Sequence, residues 1–293
     1  MDDIVDMQDE ITFNLYKYGF TALADPDGTF DGEPIDHYAD AVVHDLLQVN
    51  DVNSAASAAV ILGSWMSIVH QLEVAVNQCK LAAEEISVKS EDIIPALDKA
   101  AALWVGERND DKGTAGYMMY SFAESAKSQF PSSTVNRDVL KMMNSVKNFF
   151  VHNDRCSVDP DAWLNLRLEK NRIISKMTIP LVQNLFHYAV EGDLFRITLF
   201  ALALNPLISG CSQNTFMYLK ENLLEKPYNL IIKNQLIANV QSMYSCLGIS
   251  CREVGEYNVR GAVPECEDPI DVQPLADFDL QVDLLQVSEI YCN

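Results

Sequence analysis

Apolar residues recur at helical spacing from residue 36 to about residue 250. Between residues 54 and 85, Ile61, Leu62, Trp65, Met66, Val69, Leu72 and Val76 keep to one side of a helix. The run "SEDIIPALDKAAALWVG" (90 to 106) starts with a serine cap and two acids and stops at Gly106. "DPDAWLNLRLEK" opens with Asp159 as cap and Pro160 at the first helical position. The same periodicity predicts helices over 114–130, 137–151, 181–190, 194–204, 213–225 and 230–245. In "LFRITLFALALNPLISG" (194 to 210), Arg196, Asn205 and Pro206 interrupt the apolar run, which predicts a buried helix that Pro206 ends or kinks. Strand-like alternation is nearly absent. The pattern predicts an all-α, multi-helix globular domain.

Three segments divide the chain: an acidic N-terminal segment (1–35), a helical domain (36–263) and an acidic C-terminal tail (264–293). The first is turn-rich. Its "DPDGTFDGE" (25 to 33) supplies the first half of a calcium loop with Asp27, Thr29, Asp31 and Gly32, but Tyr38 falls where the bidentate acid belongs. The tail is punctuated by prolines, and its apolar residues are expected to dock it on the helices.

Charge narrows the partners. The formal net charge is −21, with no basic stripe, so nucleic acid is excluded as a partner. Hydrophobic residues reach 48%, enough for a sizeable core, yet no uninterrupted apolar run of membrane-spanning length appears. The opening "MDDIVDMQDE" lacks a basic start and an apolar stretch, so no signal peptide is expected in this chain. Secretion would mean that a leader has been removed.

Seven cysteines raise a question of compartment: Cys79, Cys156, Cys211, Cys246, Cys251, Cys266 and Cys292. Cys246 and Cys251 have neither the spacing nor the histidine neighbours of a zinc site, and they are not a C-x-x-C redox pair. That leaves a local disulfide clamping a helix end to a glycine-containing turn. Cys79 shares the apolar side of the 54–85 helix and is expected to be a buried thiol. The other six sit at helix ends or in loops and suit three disulfides in an oxidising, extracytoplasmic setting.

Several of these stretches resemble the algal iron-assimilation family, the periplasmic proteins of green algae induced by low iron or high CO2, with relatives in other marine algae. They are "ALDKAAALWVG" (96 to 106), "YMMYSFAESAKSQF" (117 to 130), "IPLVQNLFHYA" (179 to 189) and "CLGISCREVG" (246 to 255), supported by "LALNPLISGC" (202 to 211). The resemblance spans roughly residues 40 to 266. It implies a secreted, disulfide-bonded, mostly helical protein tied to iron uptake at the cell surface. The family's Glu-x-x-Glu pairs occur here only as Glu253 and Glu256, inside the cysteine motif.

Ferric iron favours carboxylate and phenolate oxygen, so the candidates are acids placed where core residues are expected. Asp98 projects about 40° from Ile94 on the 90–106 helix, on the arc of Ala101 and Val105. A buried carboxylate there needs a partner, either a metal or a structural hydrogen bond to a helix end or to an arginine such as Arg108 or Arg196. Glu73 falls between Leu62 and Val69 in projection, near His70, and Tyr120 and Glu124 form an i,i+4 pair. Asp98, Tyr120, Glu124 and Glu73 converge if their three helices pack together. Core tyrosine and surface glutamate are the alternative. A second set, Asp36, Asp40 and His44, follows i, i+4, i+8 with Glu33 and His37 nearby, and reads equally as a solvated helix face.

No nucleophile elbow, P-loop, dinucleotide fingerprint or H-E-x-x-H motif is present, so no enzyme is expected. The resulting expectation is a cell-surface or periplasmic protein that concentrates Fe3+, with carbonate as a possible co-ligand and an uptake system as a possible partner. The rival from another class is a metal-free structural or adhesion module of the cell wall or periplasm. A reduced cytosolic protein is the third reading.

Overall fold

The structure, a computed structural model, describes residues 11–84, 93–106, 118–152, 154–224 and 233–269. In chain order the helices are α1 (Ile11–Thr21), α2 (Tyr38–Gln48), α3 (Val52–Ala58), α4 (Trp65–Glu84), α5 (Ile94–Val105), α6 (Met119–Ala126) and α7 (Val135–His152). They continue with α8 (Arg155–Val158), α9 (Ala162–Glu191), α10 (Leu194–Ser209), α11 (Gln213–Leu219), α12 (Lys233–Gln241), α13 (Tyr244–Leu247) and α14 (Cys251–Val254). The only strands among the described residues are β1 (Thr29–Phe30) and β2 (Glu33–Pro34), an antiparallel hairpin with Thr29 opposite Pro34. Of the described residues 76% are helical, which makes the fold all-α.

The helix expected over 54–85 is present, with a wider π turn at Ala59–Ser64 joining α3 to α4. Asp51 caps it by accepting from the Ser54 amide at 3.1 Å. The stretch Val52–Ala83 is long and apolar enough to cross a membrane by length and composition. Here its apolar residues line the protein core instead: Ile61, Leu62, Trp65 and Ile68 are all fully buried.

At about 1.5 Å per residue, the 30 residues of α9 make a rod of roughly 45 Å. It packs against α4, α7 and α10, and also meets α6, α12 and α14. Separate helices were expected from 159 and over 181–190, but one helix runs through Pro180. Proline removes one backbone bond and crowds the preceding turn. Apolar neighbours on most sides of α9 outweigh that cost, and Asn184 Nδ2 donates to the Pro180 carbonyl at 2.8 Å. Pro206 likewise does not end α10, which continues to Ser209.

The N-terminal segment corrects the expectation of turns alone. Phe13, Tyr16 and Phe20 line one side of α1 and are buried, and Tyr16 donates its hydroxyl to the Ala203 carbonyl of α10. Gly19 lets the two helices close up, because a Cβ there would sit 3.0 Å from Pro206 Cγ. The calcium-loop acid Asp27 instead accepts from the Thr29 amide and hydroxyl, which stabilises the hairpin turn and holds its carboxyl below the usual range.

Three disulfides staple the helices: Cys79–Cys156, Cys211–Cys246 and Cys251–Cys266. The expected Cys246–Cys251 bridge is not formed. Cys246 lies in α13 and Cys251 opens α14, and between them the chain turns through Gly248 in the left-handed region and the Ser250 cap. Cys246 therefore meets Cys211 beyond the end of α10, and Cys251 meets Cys266. Cys79 is buried as expected but is no thiol, since Cys156 of α8 reaches it from 77 positions away. Cys292 and the tail from residue 270 lie outside the described residues.

Candidate metal-ligating residues

Helix α5 sets the position of Asp98. Its buried stripe is Ala96, Leu97, Ala100 and Trp104, not the Ile94–Ala101–Val105 arc. The large Trp104 ring rotates the helix so that Asp98 faces outward with its side chain 56% exposed. Its two oxygens accept from Lys147 Nζ of α7 at 2.6 and 2.9 Å. Neither expected arginine is its partner: Arg196 pairs with Asp193 at 3.6 Å, and Arg108 lies outside the described residues.

Glu73 is held where α4 packs on α9. Its carboxylate accepts from Lys170 Nζ, and Lys170 is only 9% exposed. The lysine emerges between Leu166 and Ile173, two buried positions, so its ammonium has little water and needs the carboxylate. His70 is also buried on α4.

Glu124 belongs to a different arrangement. Its carboxylate accepts from Lys127 Nζ at 2.6 and 2.8 Å and from Asn136 Nδ2 at 2.7 Å. Asn136, 2% exposed, also donates to the Tyr120 carbonyl and accepts from the Trp104 indole at 3.0 Å. These bonds tie α5, α6 and α7 through Trp104, Asn136 and Glu124. Half-buried Tyr120 enters the network by its backbone oxygen.

The three candidate carboxylates are therefore each paired with a different lysine, Glu73 with Lys170, Asp98 with Lys147 and Glu124 with Lys127. Tyr120, the fourth candidate, is joined to Glu124 through Asn136 by that backbone oxygen. Among the described residues no group of three or more His, Cys, Asp or Glu side chains could hold a metal. The Glu253–Glu256 pair is split too. Glu253 closes a capping box with Ser250 and accepts from Lys176 of α9, and Glu256 is exposed.

The second set does not form a ligand face. Asp36 sits in a tighter 3-10 turn (Ile35–His37) ahead of α2, so its spacing to Asp40 is not that of an α-helix. Helix α2 buries Tyr38, Ala41, Val42 and Leu46, while Asp40 and His44 face solvent. His37 lies 3.8 Å from Asp40, and His44 faces Gln48 at 3.5 Å. Glu33 belongs to the hairpin.

An acidic environment not foreseen from the sequence surrounds Asp31 at the hairpin. Burial first, then the neighbouring Asp45 and Asp25 carboxylates, push the Asp31 carboxyl above its usual range. The lysines were missed as well. A basic residue inside an apolar helical run, as Lys176 is in "RIISKMTIPL", was the available signal.

Compared with known proteins, the chain matches no family model, no curated protein and no solved structure.

Proposed function

We propose that the protein is a disulfide-stapled structural or adhesion module of an oxidising, extracytoplasmic space such as a cell wall or periplasm, with no resident metal. One observation carries this reading. Glu73, Asp98 and Glu124, the carboxylates best placed to hold a cation, each face the ammonium of a lysine. A ferric ion would have to displace that ammonium, and at Glu73 would leave Lys170 charged and largely out of water. The three disulfides are compatible with an extracellular location. A contact surface is on offer at the turn between α2 and α3, where Leu47, Val49 and Val52 are 48%, 68% and 63% exposed. The reading assigns no catalytic residue.

The iron reading implied by the resemblance is favoured by the net charge of −21 and by the negative charges of Asp45 and Asp25 acting on Asp31 at the hairpin. In that reading Fe3+, with or without carbonate, is cargo for an uptake system. Ferric loading followed by desalting near neutral pH, with and without bicarbonate, separates the two. The metal-free module retains no iron under either condition. Stoichiometric iron lost on Glu73→Gln overturns it and restores the helical site. Stoichiometric iron that survives Glu73→Gln and is lost on Asp31→Asn overturns it in favour of the hairpin.

A further inference from the structure

We propose that Cys251–Cys266 is a redox-operated latch: reduction by a dithiol lets the chain beyond α14 lift from α9 and from the turn between α6 and α7, while the helical body stays folded. The proposal stands independently of the function proposed above.

From Gly255 to Pro269 the chain has no helix or strand, and none of these residues is fully buried. The segment nevertheless lies as a strap over several elements. Asn258 donates its amide to the Gln129 carbonyl at 2.7 Å and its side chain to the Ser128 carbonyl at 2.6 Å. The Tyr257 hydroxyl lies 3.1 Å from His187 Nδ1 of α9, and its ring meets Phe130 edge-on. Further along, Lys233 and Gln241 of α12 donate to the Ala262 and Pro264 carbonyls. At the near end Gly255 approaches the α6–α7 turn so closely that a Cβ would fall 2.5 Å from Ser132 Oγ. Its positive φ of 85° also favours glycine.

These contacts are mostly hydrogen bonds near the surface, each contributing modestly against the conformational entropy of ordering the segment. The disulfide supplies the missing constraint by tying Cys266 back to α14. α14 itself is anchored without it: Glu253 pairs with Lys176, Ser250 completes the capping box, and Gln183 Nε2 donates to the Val254 carbonyl at 2.7 Å. Opening the bridge therefore frees the strap and leaves its root in place.

The other two bridges are built differently. Cys79 and Cys156 are both 0% exposed, out of reach of a thiolate in solution. Cys211–Cys246 is half-buried but flanked by the fully buried Ile208 and Leu247, so packed helices remain when it opens. Beside the root of the strap lie Gln183, which donates to the Val254 carbonyl, and Ser133, next to Gly255. Each is buried with a side-chain oxygen that has no hydrogen-bond partner among the described residues. Lifting the strap brings water to that region, together with His187 and Phe130.

In the exchange, one thiolate of the dithiol attacks a sulfur of the bridge. A mixed disulfide forms and the other cysteine leaves as thiolate. The second thiol of the reductant then displaces the remaining cysteine and closes the reductant's own disulfide. Two electrons pass to the bridge, and the two protons given up by the dithiol end on Cys251 and Cys266.

The test is a dithiothreitol titration of the full folded chain, with alkylation and peptide mapping at each step and amide hydrogen exchange in parallel. Cys251 and Cys266 should be alkylated at about tenfold less reductant than Cys79 and Cys156. At that point the Asn258 amide should lose protection while α4 and α9 keep theirs. Alkylation of Cys79 and Cys156 at the same reductant concentration overturns the proposal, as does an Asn258 amide that stays protected after reduction. A Cys251→Ser/Cys266→Ser variant should keep its helical circular dichroism and show the exposed Asn258 amide without reductant. Loss of the helical signal, or a protected Asn258, contradicts the latch.

Discussion

Helix α4 is tied to α8 by a disulfide and to α9 by a lysine–carboxylate pair. Helix α14 is tied to the following strap by a disulfide and to α9 by a lysine–carboxylate pair, yet the fastenings differ in kind. In the first, Cys79–Cys156 is sealed and the Lys170 and Glu73 side chains are only 10% and 20% exposed. In the second, Cys251–Cys266 is half-buried, and the Glu253 side chain that pairs with Lys176 is 36% exposed. The same chemistry thus makes a permanent joint in one place and a reversible one in the other, and solvent access is what separates them. The comparison also bears on function, because carboxylates that look available in sequence are already paired in both regions.

The largest effect should come from the sealed joint. Replacing Cys79 and Cys156 together by alanine opens a 77-residue separation and should cost about 4 kcal/mol, read from urea unfolding without reductant. Next comes Glu73→Ala, which leaves Lys170 buried and uncompensated. A loss of about 3 kcal/mol is expected, and replacing Lys170 by methionine in the same chain should recover most of it. A Glu73→Ala protein as stable as the parent would show that the pair is not buried.

Asp98→Ala marks the small end of the scale. Its pair with Lys147 is exposed, so a loss of about 0.5 kcal/mol or less is expected, shrinking further with added salt. Asp31→Asn should act in the opposite direction. The Asp31 carboxyl is raised on folding, so its favourable contribution is present below the unfolded value and is lost as pH rises through the folded one. At neutral pH its charge opposes Asp45 and Asp25, and the asparagine variant should melt higher there, with the gain vanishing below about pH 4. A gain that stays constant with pH would instead reflect the left-handed backbone at this position, φ 51°, which asparagine tolerates well.

The all-α class was legible because helical periodicity is local and repeats along most of the chain. The helix over 52–84 was read almost to its ends for that reason. Helix α1 was hidden because Phe13, Tyr16 and Phe20 lie between acid-rich stretches that suggested turns. The passage of α9 through Pro180 was invisible since tertiary burial, not local preference, sustains it. The candidate acids were legible as chemistry but not as partners. Lys170 is 97 positions from Glu73 and Lys147 is 49 from Asp98, and no local pattern links such pairs. Asp98 was placed on the wrong side because apolar residues lie on both flanks of α5, and the arc expected there sits roughly 100° around the helix from the stripe set by Trp104. The cysteines show the same limit: proximity in sequence suggested Cys246–Cys251, and the fold pairs each with a different partner.

Non-reducing peptide mapping of the native protein, with free thiols blocked beforehand, tests the account most directly. It should recover three linked peptide pairs, Cys79 with Cys156, Cys211 with Cys246, and Cys251 with Cys266. A Cys246–Cys251 link would contradict the latch, and a native protein whose seven cysteines are all free thiols would contradict both the sealed joint and the latch.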